Sequence, residues 1–417
     1  MHVVIMGAGV VGVAVAYKLL SEGHEVTVVD RMAEPAMFTS FANAGLVAPG
    51  HAYAWSSPRA PGMMWRSLYR GDQAIRFRPS LDPALWRWAW KFLKECKPVR
   101  TNLNTERKAR LCVYSQAKLN EVVAEAGVEY DGNTGGLLYF FRTPESFEAG
   151  AQKSEMLRRN GIEIEILDRD ALIAKDPALE PAREHIAGGL YAVTDESGDA
   201  HLFTQALARK CEELGATLRM NTEIKGLVAN GQRIEAVETS GERVGGDAFV
   251  LALGIYSPHL LRQLGMDLPI YPIKGYSATL QIAEGHEGPV IGGVDEDNLL
   301  AYCPMGRRLR VTATAEFAGY DNSYRPKDFR GMLARTKDLF PTAVDYSEPA
   351  LWAGLRPMTP TGLPIIDRSP YENLFLNTGH GHMGWTMSCG SAAILADLVM
   401  QRTPDLDLAG MRYEDVH

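Results

Sequence analysis

The turn Gly7-Ala8-Gly9-Val10-Val11-Gly12 constrains this chain more than any other stretch, because of what flanks it. His2 to Met6 before it is apolar and β-branched. Val13 to Ser21 after it reads as a helix, and Glu25 to Val29 as a second strand ending at Asp30. This is one βαβ unit. Gly7 permits the tight turn, Gly9 lets backbone N–H groups approach a pyrophosphate, and Gly12 lets helix and strand pack closely. The Asp30 carboxylate, 18 residues beyond Gly12, is placed to accept hydrogen bonds from a ribose. Val10, Val11 and Arg31 complete this expected nucleotide site. The motif by itself serves NAD and FAD equally, since both carry an adenosine diphosphate half.

At 417 residues the chain exceeds one ordinary compact domain. Its 46% hydrophobic and 23% charged residues argue against disorder and against a multi-span membrane protein. A formal net charge of -8, with no basic run, argues against a nucleic-acid partner. Cys96, Cys112, Cys211, Cys303 and Cys389 are scattered and lack zinc-type spacing, which predicts free thiols in a reducing cytoplasm and no metal site. The chain enters its first strand at once, so no secretory signal is expected, and no stretch approaches the ~20 apolar residues of a membrane span.

Further along, Thr105 to Gly127 and Phe147 to Asn160 have helical spacing, and Asn230-Gly231 separates two strand-like runs as a hairpin turn does. Asp247 to Leu253 is a continuous apolar run, the look of a buried parallel strand. Ile270 to Thr314 alternates like an antiparallel sheet. The expected architecture is α/β (α+β overall): a Rossmann-like domain assembled from 1–50, 185–260 and 350–417, with an inserted, mainly antiparallel β-sheet substrate domain from 51–184 and 261–349.

Four stretches in order resemble one family: Val3 to Asp30, Thr39-Ser40-Phe41-Ala42-Asn43-Ala44-Gly45, Tyr271-Pro272-Ile273-Lys274-Gly275-Tyr276-Ser277, and Gly354-Leu355-Arg356-Pro357-Met358-Thr359-Pro360 continuing to Asn377 through Thr386. Over nearly its whole length the chain resembles the small subunit of D-amino-acid dehydrogenase, within the wider group of D-amino-acid oxidase, glycine oxidase and sarcosine oxidase. The resemblance implies a Rossmann-like FAD-binding domain, non-covalently held FAD, and oxidative deamination of a D-amino acid to a 2-oxo acid and ammonia. It also implies electrons passed to a respiratory quinone, at the cytoplasmic face of a bacterial inner membrane. Open alternatives are a secondary amine substrate such as proline, hydroxyproline or sarcosine, glycine as substrate, O₂ as acceptor, and a flavin-carrying subunit that needs a heteromeric partner.

The same resemblance assigns Ser40, Asn43, Ala44, Gly45 and Leu46 to the cofactor, and reads Leu251-Ala252-Leu253-Gly254 as a second glycine turn, with the termination of a strand as the alternative for Gly254. Arg356 is expected to grip the substrate carboxylate, a task suited to a guanidinium fork. Tyr276 and Tyr302 are expected to add a phenolic hydrogen bond, and Lys274 to lie near the flavin. Gly379, His380, Gly381, His382, Met383, Gly384, Trp385 and Thr386 open the last helix, whose N-terminus would stabilise negative charge on a reduced flavin. His382 is counted with the catalytic group, although no general base is assigned. Finally, Leu81 to Lys94, within a Trp-rich segment 58–100, interleaves Trp86, Trp88 and Trp90 with Arg and Lys. Such a segment suits either a membrane interface or a cap over the site.

Overall fold

The computed structural model describes residues 1–67, 75–78 and 80–416, without the side chains of 63 and 65–67. Residues 68–74 and 79 of the Trp-rich segment lie outside the described residues.

Two large sheets carry the fold. The first has the order Ile365–Arg368, Leu374–Thr378, Ala248–Leu251, His2–Met6, Glu25–Val29, Thr217–Arg219. All neighbours are parallel except the edge pair 365–368 and 374–378. Val3, Val4, Ile5 and Met6 have no exposed surface, which explains their unbroken apolar run. The helices Val10–Ser21 and Gly384–Val399 cover one face of this sheet. The strand His2–Met6 has its successor Glu25–Val29 on one side and the distant Ala248–Leu251 on the other. The crevice at the carboxyl ends of 2–6 and 248–251 is therefore the topological switch point, where folds of this kind take their ligands.

The second sheet runs Val344–Met358, Tyr271–Ile282, Arg308–Phe317, Leu300–Met305, Gly292–Asp295, Leu137–Phe141, Gly188–Ala192, Ile164–Asp168, with Ile75–Phe77 paired alongside 308–317. It is antiparallel except where 292–295 meets 137–141 and where 75–77 meets 308–317. Two expected boundaries are corrected by it. Gly188–Ala192 and the 350–358 part of Val344–Met358, expected within the nucleotide domain, pair along their lengths with strands of this second sheet. The Asn230-Gly231 turn does join an antiparallel hairpin, with Gly231 at φ +60°.

The helix Pro83–Glu95 starts at Asp82, whose side chain accepts a hydrogen bond from Ala84 N at 2.9 Å. Its inner positions Leu85, Trp88 and Phe92 recur at helical spacing and are buried, whereas Trp86 and Trp90 are 62% and 58% exposed. Trp88 thus belongs to a cap over the interior, and Trp86 and Trp90 to a surface. No helix among the described residues is long and apolar enough to cross a membrane.

Candidate active site

A cavity of about 670 Å³ runs from the switch-point crevice to one face of the second sheet. Gly7 to Val11, Asp30 and Arg31 form its first end. Asp30 accepts hydrogen bonds from Ala8 N at 2.7 Å and Met32 N at 2.9 Å, fixing the turn while each oxygen keeps a lone pair for a hydroxyl donor. The Arg31 guanidinium lies 4.2 Å from the Tyr256 ring centroid.

The three glycines have different reasons. A Cβ on Gly7, which sits at φ +111°, would lie 2.6 Å from the Ala252 oxygen, and one on Gly12 would lie 1.9 Å from the Gly7 oxygen. Gly9 has φ -74° and ψ 174°, open to any residue, and a Cβ there would meet nothing closer than Ser40 Oγ at 3.5 Å. Packing of the chain explains the first and third glycines. The second leaves room against the cavity, as a cradle for a pyrophosphate must, so this end fits a dinucleotide such as FAD.

The 40–48 loop forms the middle of the wall. Ser40 Oγ accepts from Val10 N at 3.1 Å, pairing one free N–H of the helix start. Asn43 Oδ1 accepts from Gly45 N at 3.0 Å. Gly45 is a correction: it does not line the cavity, and a Cβ there would strike Met305 Cε at 2.3 Å and the Gly198 oxygen at 2.6 Å, so its glycine is demanded by packing. Ala44 and Leu46 do line the cavity. Thr386 Oγ1 donates to the Leu46 oxygen at 3.3 Å and accepts from Ala48 N at 3.1 Å, tying the loop to the last helix. Gly254, at φ +53°, lines the opposite wall.

Gly379 and Gly381 have φ of +78° and +60°, which turns the chain from the strand 374–378 into the last helix, so that His380 to Thr386 line the cavity. His380 is buried, shares a 3.0 Å hydrogen bond with Ser391 Oγ, and is pushed down to about 3 by burial. His382 stacks on Trp55 with ring centroids 4.8 Å apart. Burial, reinforced by the positive charges of Lys108, His51 and Arg356, holds its pKa well below the usual histidine value. Both rings are therefore neutral near pH 7. Among the described residues no group of three His, Cys, Asp or Glu is placed to hold a metal ion.

Arg356 stands at the far end, where its strand position pairs with Ile273. Its Nη1 donates to the Thr314 oxygen at 3.1 Å, and its Nη2 lies 2.4 Å from where a Cβ on Gly275 would be, so a side chain there would displace the guanidinium. Thr314 has φ +67°, a strained conformation for a β-branched residue, next to an irregularity in the 271–282/308–317 pairing. Burial brings the guanidinium down to about 10, still charged at neutral pH, yet no acidic side chain pairs with it among the described residues. Trp55, Trp88, Phe92, Ile75 and Phe317 give this end an apolar wall. His51 and Glu296, 2.9 Å apart, and Lys153, whose Nζ is 3.6 Å from the Tyr53 ring centroid, make a separate charged stretch of it.

Three expected neighbours of Arg356 face the other way. Ile273, Gly275 and Ser277 share its side of the sheet, so the intervening Lys274 and Tyr276 point behind it. Tyr276 borders the cavity, but its ring joins the core behind the sheet and its hydroxyl donates to Glu316, which leaves it no proton for a substrate carboxylate. Lys274 Nζ donates to the Ser323 oxygen at 2.6 Å, and the residue does not line the cavity. Tyr302 is fully buried against Phe140 and Phe340, and its neighbour Ala301 takes the cavity position. Trp55, His51, Glu296 and Lys153 also line the cavity and carry no local sequence signal for it; Ser277 and Asn377 line it too, and lie in the resembling stretches without a role assigned there.

A family model described as FAD dependent oxidoreductase matches residues 2–398. The chain is similar to D-amino acid dehydrogenase 2 of Mesorhizobium japonicum, 46% identical over 99% of this chain and 100% of that one. It is similar to D-amino acid dehydrogenase of Agrobacterium fabrum at 44%, again over 99% and 100%. In structure it is similar to glycine oxidase from Geobacillus kaustophilus, with a TM-score of 0.78, 22% identity, and coverage of 99% of this chain and 97% of that one. L-proline dehydrogenase from P. horikoshii gives a TM-score of 0.75 at 17% identity, covering 99% and 96%.

Proposed function

Because the chain belongs to the family of FAD-dependent oxidoreductases, we propose that it dehydrogenates D-amino acids to 2-oxo acids and ammonia and passes the electrons to a membrane quinone. The observation that carries the substrate class is Arg356, an enclosed cation without a carboxylate partner among the described residues, in a cavity that begins at a nucleotide turn. The choice of a D-amino acid, rather than a secondary amine, follows the names of the full-length relatives.

Gly7 to Val11, Asp30, the 40–48 loop, Gly254 and the entrance to the last helix would hold FAD. Bound there, FAD supplies a two-electron acceptor for hydride from the amine-bearing carbon. Arg356 pairs with the substrate carboxylate and so fixes that carbon's position. Its positive charge, and a His382 ring that carries none of the opposite sign, disfavour an ammonium group and select the neutral amine. The apolar wall of Trp55, Trp88 and Phe317 keeps water from the reacting carbon, and the imino acid product hydrolyses after release.

The exposed Trp86 and Trp90, with Lys94 Nζ 3.2 Å from the Trp90 ring centroid, support docking at an anionic bilayer where quinone resides. With D-alanine, the holoenzyme is expected to release equal amounts of pyruvate and ammonia while reducing quinone held in anionic vesicles. A Trp86→Ser, Trp90→Ser double variant should lose vesicle flotation and that turnover, yet keep turnover with a water-soluble quinone analogue. Unchanged flotation would remove the membrane reading, and faster turnover with O₂ than with either quinone would make the protein an oxidase.

A further inference from the structure

Asn377 is the penultimate residue of the strand Leu374–Thr378 and has no exposed surface, yet neither its amide nitrogen nor its amide oxygen has a hydrogen-bond partner among the described residues. Buried polar groups left in that state are exceptions in folded proteins, and each calls for a physical reason. The neighbouring hydroxyl is provided for. Thr378 Oγ1 is 2.7 Å from Ser257 Oγ and donates to the Gly254 oxygen at 3.3 Å. Asn377 itself lines the cavity, which is where partners for its amide would come from.

Its place in the sheet says which part of a ligand it meets. Leu376 pairs with Leu251 and Leu251 with Met6, so Asn377 stands level with the Gly7 turn, two strands away. It also stands two residues before Gly379, where the chain turns into the last helix. It lies between the pyrophosphate cradle and the helix entrance. An amide offers a donor and an acceptor together. Pyrophosphate oxygens only accept, and would set negative charge against Oδ1. Sugar hydroxyls do both. We propose that Asn377 binds FAD through the hydroxyl groups of its ribityl chain, a contact that satisfies both ends of the amide.

The test uses Asn377→Leu, which keeps the volume and removes both polar atoms, in the purified full-length protein. Three quantities are measured: the FAD dissociation constant by flavin fluorescence, the inhibition constant of ADP against FAD rebinding, and the melting temperature without FAD. ADP carries the adenosine and pyrophosphate but no ribityl chain. FAD affinity should fall about tenfold. ADP affinity should be unchanged, and the FAD-free melting temperature equal or higher, because an unpaired buried amide has been removed. Equal losses for FAD and ADP would place Asn377 at the nucleotide half and overturn the proposal. Unchanged FAD affinity with a lower FAD-free melting temperature would overturn it too, as the behaviour of an amide held by buried water. If the leucine variant does not fold, Asn377→Ala gives the same comparison with the same outcomes.

Discussion

Replacing Arg356 by alanine is expected to lower kcat/KM for a D-amino acid by about thirty- to four-thousandfold while the protein keeps its full complement of FAD. Truncating one partner of a buried, hydrogen-bonded charge pair costs about 2–5 kcal/mol, and each 1.4 kcal/mol is a factor of ten. The FAD-free melting temperature should not fall. Arg356 has a single backbone acceptor, the Thr314 oxygen, and no acidic partner among the described residues, so the truncation removes a desolvated charge that the protein does not itself balance. Arg356→Lys keeps the charge without the planar fork and should recover only part of the loss. Loss of FAD from the alanine variant would show that Arg356 supports the cofactor site instead.

The second large effect separates two glycines of one motif. Gly9→Ala should fold normally, with an unchanged FAD-free melting temperature, and be purified largely without flavin. Its backbone tolerates a side chain, and among the described residues the added methyl meets only Ser40 Oγ. Gly12→Ala should instead destabilise the fold by about 1–3 kcal/mol, because its Cβ would overlap the Gly7 oxygen and push the helix 10–21 off its strand. Melting temperature and the ratio of flavin to protein distinguish the two cases. A Gly9→Ala protein with full flavin content would contradict the cradle assigned to this turn.

The parts of the site that were legible from the residues are those set by local chemistry. The turn at Gly7, its strand and helix, the buried run ending at Leu251 and the Asn230-Gly231 hairpin each follow from a few adjacent residues. What was not legible depends on pairing between distant segments. Lys274, Tyr276 and Tyr302 sit in strands, where a shift of one residue turns every side chain to the other face. The register of 271–282 against 344–358 sets which face Lys274 and Tyr276 take, and the extra residue of 308–317 near Thr314 shifts the parity of that strand; nothing in these segments announces either. Gly45 looked like a cofactor glycine, but it makes room for Met305 and Gly198, which are brought to it only by the second sheet and the 196–198 segment. That Arg356 lacks an acidic neighbour among the described residues is likewise a property of the assembled fold, as is the Asn377 amide left unpaired among them.

The proposed amine chemistry is tested most directly by mixing the oxidised holoenzyme with amino-acid enantiomers in the absence of oxygen and following the visible flavin absorbance. D-alanine or D-proline should bleach it, and L-alanine and L-proline should leave it intact. Bleaching by the L-enantiomers alone, or by none of the four, would contradict the account.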